Sequence, residues 1–186
     1  GILVEHYIIS SGLREIIEGT AIAKDFTHIY ASSFYYNEHG EPCWPAQVIN
    51  YTNKTQFLFR IEKGILDIND NAVNDHFVEG ELRVPFRNIV YIGDSATDIP
   101  CMRLVNSLGG HSVGVYDLEN TASKDTVRRM IRDERIRYYV PADYTKGSEM
   151  DTLMHQIIDK TAAYEVLEEK HLRDRKEAII QHMEGR

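Results

Sequence analysis

Cysteine is scarce in this sequence, and its two copies, Cys43 and Cys101, lie far apart in the 186 residues. Neither belongs to a Cys-x-x-Cys pair, so the spacing provides neither a disulfide framework nor a zinc motif. The eight histidines contain no HExxH or HxxxH pair, and we expect them to lie on the surface or in loops. This use of cysteine is typical of the reducing cytoplasm, which is the location we expect.

Long apolar runs and excess positive charge are also absent. No stretch approaches the roughly 20 apolar residues that span a bilayer, and no signal-peptide pattern opens the chain. The net charge of −8 argues against nucleic acid and anionic membranes as partners, because both favour basic surfaces. A small anionic substrate remains compatible with it, since one metal ion or lysine can reverse the potential inside a cleft.

Short apolar segments alternate with helical periodicity along the chain. Strands are predicted at residues 2–10, 26–36, 88–93, 111–116 and 137–140, with helices between them. This alternation predicts an α/β fold built on a doubly wound parallel sheet. We also expect a β-hairpin excursion over residues 34–48 and a long C-terminal helix from about residue 148. The expected domains are a core, residues 1–164, and a helical extension, residues 165–186.

Two aspartates follow the apolar strand at residues 88–93. Asp94 comes directly after Gly93, and Asp98 follows one turn later. Ligands of parallel sheets bind beyond the carboxyl ends of the strands, and two carboxylates there are suited to Mg2+. Asp98 or Thr97 can instead cap the helix that contains Pro100. Capping leaves Asp94 unexplained, so we favour metal binding by Asp94 and Asp98.

Two further polar groups are candidates for phosphate binding. Ser10 ends the first predicted strand and is followed by Ser11 and Gly12, where a hydroxyl and backbone N–H groups can hold a phosphate. The alternative is that a serine merely caps the following helix. Lys54 lies near the start of another predicted helix, where its ammonium can bind phosphate or neutralise carboxylates. The alternative for Lys54 is an ordinary solvated surface charge.

Taken in order, these features resemble the second, third and fourth motifs of the haloacid dehalogenase superfamily, most closely its phosphoserine-phosphatase-like hydrolases. Residues 91–102 (YIGDSATDIPCM) are similar to the fourth motif, and residues 8–13 (IISSGL) are similar to the second. Residues 142–149 are similar to the last strand and closing helix of that group. The resemblance covers about residues 3–160, and the fourth motif is its most specific part.

The resemblance implies a Mg2+-dependent phosphatase that hydrolyses a small phosphorylated metabolite through an aspartyl-phosphate. It implies that Ser10 hydrogen-bonds the phosphoryl group and that Lys54 stabilises its charge. Asp94 then ligates Mg2+, while Asp98 assists in the metal shell or holds Lys54. Positioning and charge neutralisation of this kind account for most of the catalysis of phosphoryl transfer.

The first motif of the superfamily, a strand followed by Asp-x-Asp, has no counterpart in this sequence. Its first aspartate is the nucleophile, so we expect a fold that lacks its first strand and no phosphatase activity from this chain alone. The chain is then either a fragment of a longer hydrolase or a natural pseudoenzyme. We favour the fragment, because Ser10, Lys54, Asp94 and Asp98 are all kept.

A non-catalytic phosphate-binding or scaffold module, with residues 165–186 binding a partner, is the alternative from a different class. A sheet without its first strand has unpaired strand edges, and these edges or the C-terminal helix offer surfaces for dimerisation. Tyr35, Tyr36 and Trp44 are candidates for a wall of the substrate cleft. We expect them instead to pack the sheet edge, since large aromatic side chains dominate cores.

Overall fold

A computed structural model describes residues 1–184, and at residues 79, 183 and 184 the backbone alone. The residues form two compact units: Leu3–Ala142, and Gly1–Ile2 together with the residues from Asp143 on. The domain boundary expected after residue 164 falls inside the last helix. Residues 185 and 186 of the expected C-terminal extension lie outside the described residues.

Strands and helices alternate, which confirms the α/β class. The strands are β1 (Tyr7–Leu13), β2 (His28–Tyr36), β3 (Pro42–Gln47), β4 (Val90–Gly93), β5 (His111–Tyr116) and β6 (Tyr138–Pro141). The helices are α1 (Arg14–Glu18), α2 (Thr55–Lys63), α3 (Ile99–Ser107), α4 (Thr121–Arg132) and the long C-terminal helix α5 (Glu149–Glu184). Although α5 has 36 residues, neither it nor another helix within residues 1–184 is apolar enough to cross a membrane.

The described strands form two three-stranded sheets. In the first, β1 pairs in parallel with β2, and β2 pairs antiparallel with β3. The β2–β3 pair is the predicted hairpin, with Tyr35 opposite Trp44. In the second sheet, β4, β5 and β6 are all parallel. The second sheet is thus the parallel sheet expected from the sequence, while the doubly wound order stays a prediction. Strands β1 and β4 each lie at the edge of a sheet.

Two apolar clusters lie in the unit Leu3–Ala142. The larger one surrounds β4 and β5, where α3 and α4 contribute fully buried residues such as Met102, Val105 and Val127. The smaller one packs Tyr30 of β2 against Phe57 of α2, with ring centroids 4.5 Å apart. Ile9 of β1 contacts both clusters, and so β1 borders the core of the second sheet as well as that of its own.

Two expectations about individual residues are wrong. The aromatic residues of the hairpin do not pack the sheet edge, since Tyr35 is 64% and Trp44 is 73% exposed. Tyr36 is exposed as well. His111 does not lie on the surface but is buried, because β5 is the central strand of its sheet and all six of its residues are buried.

Candidate functional site

Lys54 and Asp98 form a buried ion pair. Lys54 directly precedes α2, and its backbone N–H donates to the carbonyl of Asn50 in the preceding turn. Its Nζ lies 2.8 Å from Asp98 Oδ1, and the two side chains are 8% and 9% exposed. Two residues predicted for the site, 44 positions apart in sequence, are therefore in direct contact just beyond the carboxyl end of β4.

Asp98 is held by three donors. Its Oδ1 also accepts a hydrogen bond from the Tyr91 hydroxyl at 2.9 Å, and its Oδ2 accepts one from Ser95 Oγ at 3.1 Å. Gly93 allows this close approach, because a Cβ there would lie 2.8 Å from three atoms of Asp98. Of the two roles that the resemblance offers for Asp98, the geometry matches the one that holds Lys54.

The groups beside the ion pair are neutral. Burial is the main reason that the pKa of the Tyr91 hydroxyl is raised, with Cys101 and Asp98 adding to the effect. Burial likewise raises the pKa of the Cys101 thiol to about 11. Tyr91 is therefore a neutral donor to Asp98 at physiological pH, and the positive charge of Lys54 is matched by one carboxylate.

The ammonium of Lys54 has donors to spare. An ammonium carries three N–H donors, and within residues 1–184 Asp98 is the one acceptor bonded to Nζ. A buried donor without an acceptor is destabilising by about 1–3 kcal/mol. An oxyanion that entered this site would accept from the remaining donors and remove that penalty.

The predicted phosphate cradle lies at a break in the β1–β2 register. Ile9 pairs with Tyr30 and Leu13 pairs with Ser32, so four steps along β1 match two steps along β2. Two additional residues of β1 therefore leave the regular ladder between these pairs, in the stretch of residues 10–12. A bulge of this kind frees backbone groups from the ladder and re-aims side chains.

Two hydrogen bonds order the predicted phosphate cradle at residues 10–12. Ser10 Oγ accepts from the N–H of Gly12 at 3.0 Å, and the Ser11 carbonyl accepts from Ser32 Oγ at 3.2 Å. Ser11 and Gly12 are exposed and Ser10 is partly buried. The alternative in which a serine caps α1 is wrong, because Leu13 occupies the N-cap position without a side-chain cap.

Asp94 is exposed directly after β4 and forms no hydrogen bond or ion pair with another residue of the described chain. Asp98 occupies the N-cap position of α3, with Pro100 in the first turn, but its side chain makes no capping hydrogen bond there. No three His, Cys, Asp or Glu side chains within residues 1–184 are grouped to hold a metal ion. These residues therefore offer Mg2+ the Asp94 carboxylate but not a complete coordination sphere.

The predicted site is thus assembled in part. Lys54 and Asp98 are joined, whereas no hydrogen bond within residues 1–184 links Ser10 or Asp94 to that pair. Sequence reasoning missed Tyr91 and its bond to Asp98, although a tyrosine in a short buried strand is a signal, because its hydroxyl needs a buried acceptor.

Comparison with known proteins gives one curated relative, an uncharacterized protein of Borreliella burgdorferi (strain B31). It is 24% identical over 161 residues, which cover 79% of this chain and 55% of the relative. The chain thus spans about half the length of the curated relative that it matches. No family model matches the sequence, and no solved structure matches it either.

Proposed function

We propose that this chain supplies the phosphate-binding side of the active site of a Mg2+-dependent phosphohydrolase of the haloacid dehalogenase type, acting on a small phosphomonoester. The observation that carries the proposal is the buried Lys54–Asp98 pair, 2.8 Å long, at the carboxyl end of a parallel strand. Ligands of open α/β sheets bind at such strand ends.

Lys54 and the Ser10 loop have the properties that phosphoryl transfer requires. Asp98 fixes the ammonium in one place, and the remaining N–H donors of Lys54 are suited to equatorial phosphoryl oxygens. The bulge at residues 10–12 adds a hydroxyl and exposed backbone at the end of β1. Such donors, fixed before the substrate binds, stabilise developing negative charge without having to reorganise.

The open edges of β1 and β4 support a doubly wound sheet completed by one more strand. The two sheets run in the orders β1-β2-β3 and β4-β5-β6, so a strand paired with both edges would join them into one sheet. In the superfamily that this sequence resembles, such a strand ends in Asp-x-Asp. In this proposal, that strand supplies the nucleophile, and the residues of this chain bind and orient the phosphoryl group.

Asp94 is the residue of this chain that we assign to Mg2+, because its carboxylate is exposed and has no partner within residues 1–184. Bound Mg2+ would neutralise charge on the phosphoryl oxygens. Its remaining ligands must come from water, substrate or residues outside those described, since no group of three ligands is present among them. Asp98 is assigned to Lys54, because its oxygens already accept three hydrogen bonds.

The test is a phosphatase assay of a version extended at its amino terminus by the sequence that precedes this chain in the gene. With Mg2+ and a panel of phosphomonoesters, we expect turnover from the extended protein and none from this chain. Lys54→Met and Asp94→Asn should each reduce turnover by at least about 100-fold. Turnover that survives Lys54→Met unchanged would refute the proposal.

A non-catalytic phosphate-binding module is the second candidate, and the lack of Asp-x-Asp in the sequence favours it. It predicts phosphate binding at Lys54 without turnover from the extended protein. A preceding gene sequence that ends a predicted strand in Asp-x-Asp would favour the enzyme, while its absence would favour the module.

A further inference from the structure

Tyr91 and Lys54 donate to the same oxygen of Asp98. The Tyr91 hydroxyl lies 2.9 Å and Lys54 Nζ lies 2.8 Å from Asp98 Oδ1. All three residues are buried, so water has little access to this oxygen. The tyrosine and the lysine therefore share its negative charge.

The tyrosine is the rigid partner in this arrangement. Tyr91 lies in β4 and pairs with Ser112 of β5, a strand whose six residues are all buried. A tyrosine side chain is rigid, whereas the ammonium of Lys54 lies at the end of a flexible four-carbon stem. A donor fixed on a strand therefore orients Asp98, and the oriented carboxylate orients the ammonium.

Ser95 is the weaker of the two hydroxyl donors to Asp98. Its Oγ lies 3.1 Å from Oδ2, the other carboxylate oxygen, and 2.7 Å from Thr97 Oγ1. Ser95 is only partly buried, so water competes for its hydroxyl. The hydroxyl of Tyr91 is the one that shares an oxygen with the ammonium.

We propose that Tyr91 is a positioning residue of the phosphate site, which keeps the ammonium of Lys54 held by Asp98 and still available to an oxyanion. The inference rests on the proposed function, in which Lys54 binds the phosphoryl group. By donating to Oδ1, Tyr91 takes up part of the negative charge that would otherwise act on the ammonium alone. Tyr91 does not itself bind the oxyanion, because its single hydroxyl proton is already donated to Asp98.

Loss of the Tyr91 hydroxyl should therefore weaken anion binding at Lys54. With one donor fewer on Oδ1, the carboxylate attracts the ammonium more strongly and also repels an approaching anion more strongly. The N–H donors of Lys54 are then less available to phosphate. One hydrogen bond of this kind corresponds to an effect of about tenfold on a dissociation constant.

The test compares Tyr91→Phe with Tyr30→Phe, which also removes one buried hydroxyl. The Tyr30 hydroxyl donates to the Leu66 carbonyl at 2.9 Å, beyond the end of α2 opposite Lys54, and the nine residues of α2 span about 14 Å. The dissociation constant of inorganic phosphate, measured by NMR on this chain with Mg2+, should rise about tenfold in Tyr91→Phe and hardly change in Tyr30→Phe. Both variants should lose a similar unfolding free energy in urea, so general loosening of the fold would not explain a difference in phosphate affinity.

A second measurement observes the ammonium directly. The NMR signal of the Lys54 ammonium, assigned with Lys54→Arg, should shift in Tyr91→Phe and stay in place in Tyr30→Phe. Phosphate should also move this signal in the unaltered chain. If phosphate moves it but the two tyrosine variants have equal phosphate affinities, the role of Tyr91 alone is overturned. Phosphate that leaves the Lys54 signal in place would overturn the proposed function, and this inference with it.

Discussion

Breaking the Lys54–Asp98 pair should strongly destabilise the fold. Both side chains are at least nine-tenths buried, and removal of one partner leaves the other charge without compensation. Loss of one partner of a buried ion pair typically costs 3–5 kcal/mol, so we expect a loss of about that size for Lys54→Met. For a chain of this length the loss corresponds to a fall of roughly 6–20 °C in Tm.

A double-mutant cycle separates the pair from its surroundings. Asp98→Asn keeps the shape of the side chain and leaves the ammonium unpaired, so it should also destabilise the protein. The double variant removes both charges, and should be more stable by at least about 2 kcal/mol than the sum of the single effects. The measurement is the unfolding free energy from urea titrations followed by circular dichroism.

An exposed ion pair provides the matched control. Arg14 and Glu18 are 2.6 Å apart, but their side chains are 46% and 47% exposed. Because solvent screens such a pair, Arg14→Met should cost less than about 1 kcal/mol. The buried ion pair would be refuted as a source of stability by either of two results. One is a loss of unfolding free energy for Lys54→Met no larger than that for Arg14→Met, and the other is a cycle without coupling between Lys54 and Asp98.

Two further predictions concern the surroundings of the ion pair. Gly93→Ala should destabilise the protein by about 1–3 kcal/mol in the same urea titration, because the added Cβ would lie 2.8 Å from Asp98. Gly80→Ala is the control: a Cβ added there has no atom within 4 Å, so the unfolding free energy should hardly change. Cys101 is buried with a pKa raised to about 11, and Cys43 is exposed, so Ellman's reagent at pH 8 should modify one thiol in the native protein and two after unfolding. Rapid modification of both native thiols would contradict the burial of Cys101. Equal effects of Gly93→Ala and Gly80→Ala would contradict the close approach of Asp98 to Gly93.

Local sequence was sufficient for the elements but not for their pairing. A helix is predicted to start near Lys54, and α2 begins directly after that residue. Lys54 and Asp98, however, are 44 residues apart. No local pattern encodes a contact over that distance, and only the order of the motifs suggested it.

Two differences from the sequence-based predictions have non-local causes. The first strand is predicted to end at Ser10, yet β1 continues to Leu13, because Leu13 pairs with Ser32 of β2. The exposure of Trp44 depends on what covers the hairpin, which composition does not reveal. Propensity describes a residue's neighbours in sequence, while register and burial depend on distant partners.

The most direct test of the central claim is a backbone-amide NMR titration of this chain with inorganic phosphate in the presence of Mg2+. If Lys54 and the bulge of β1 form one phosphate site, the largest shifts should fall on Ser10, Ser11, Gly12 and the residues around Lys54, and Lys54→Met should abolish them. Shifts that lie elsewhere, that persist unchanged in Lys54→Met, or that fail to appear at millimolar phosphate would contradict it.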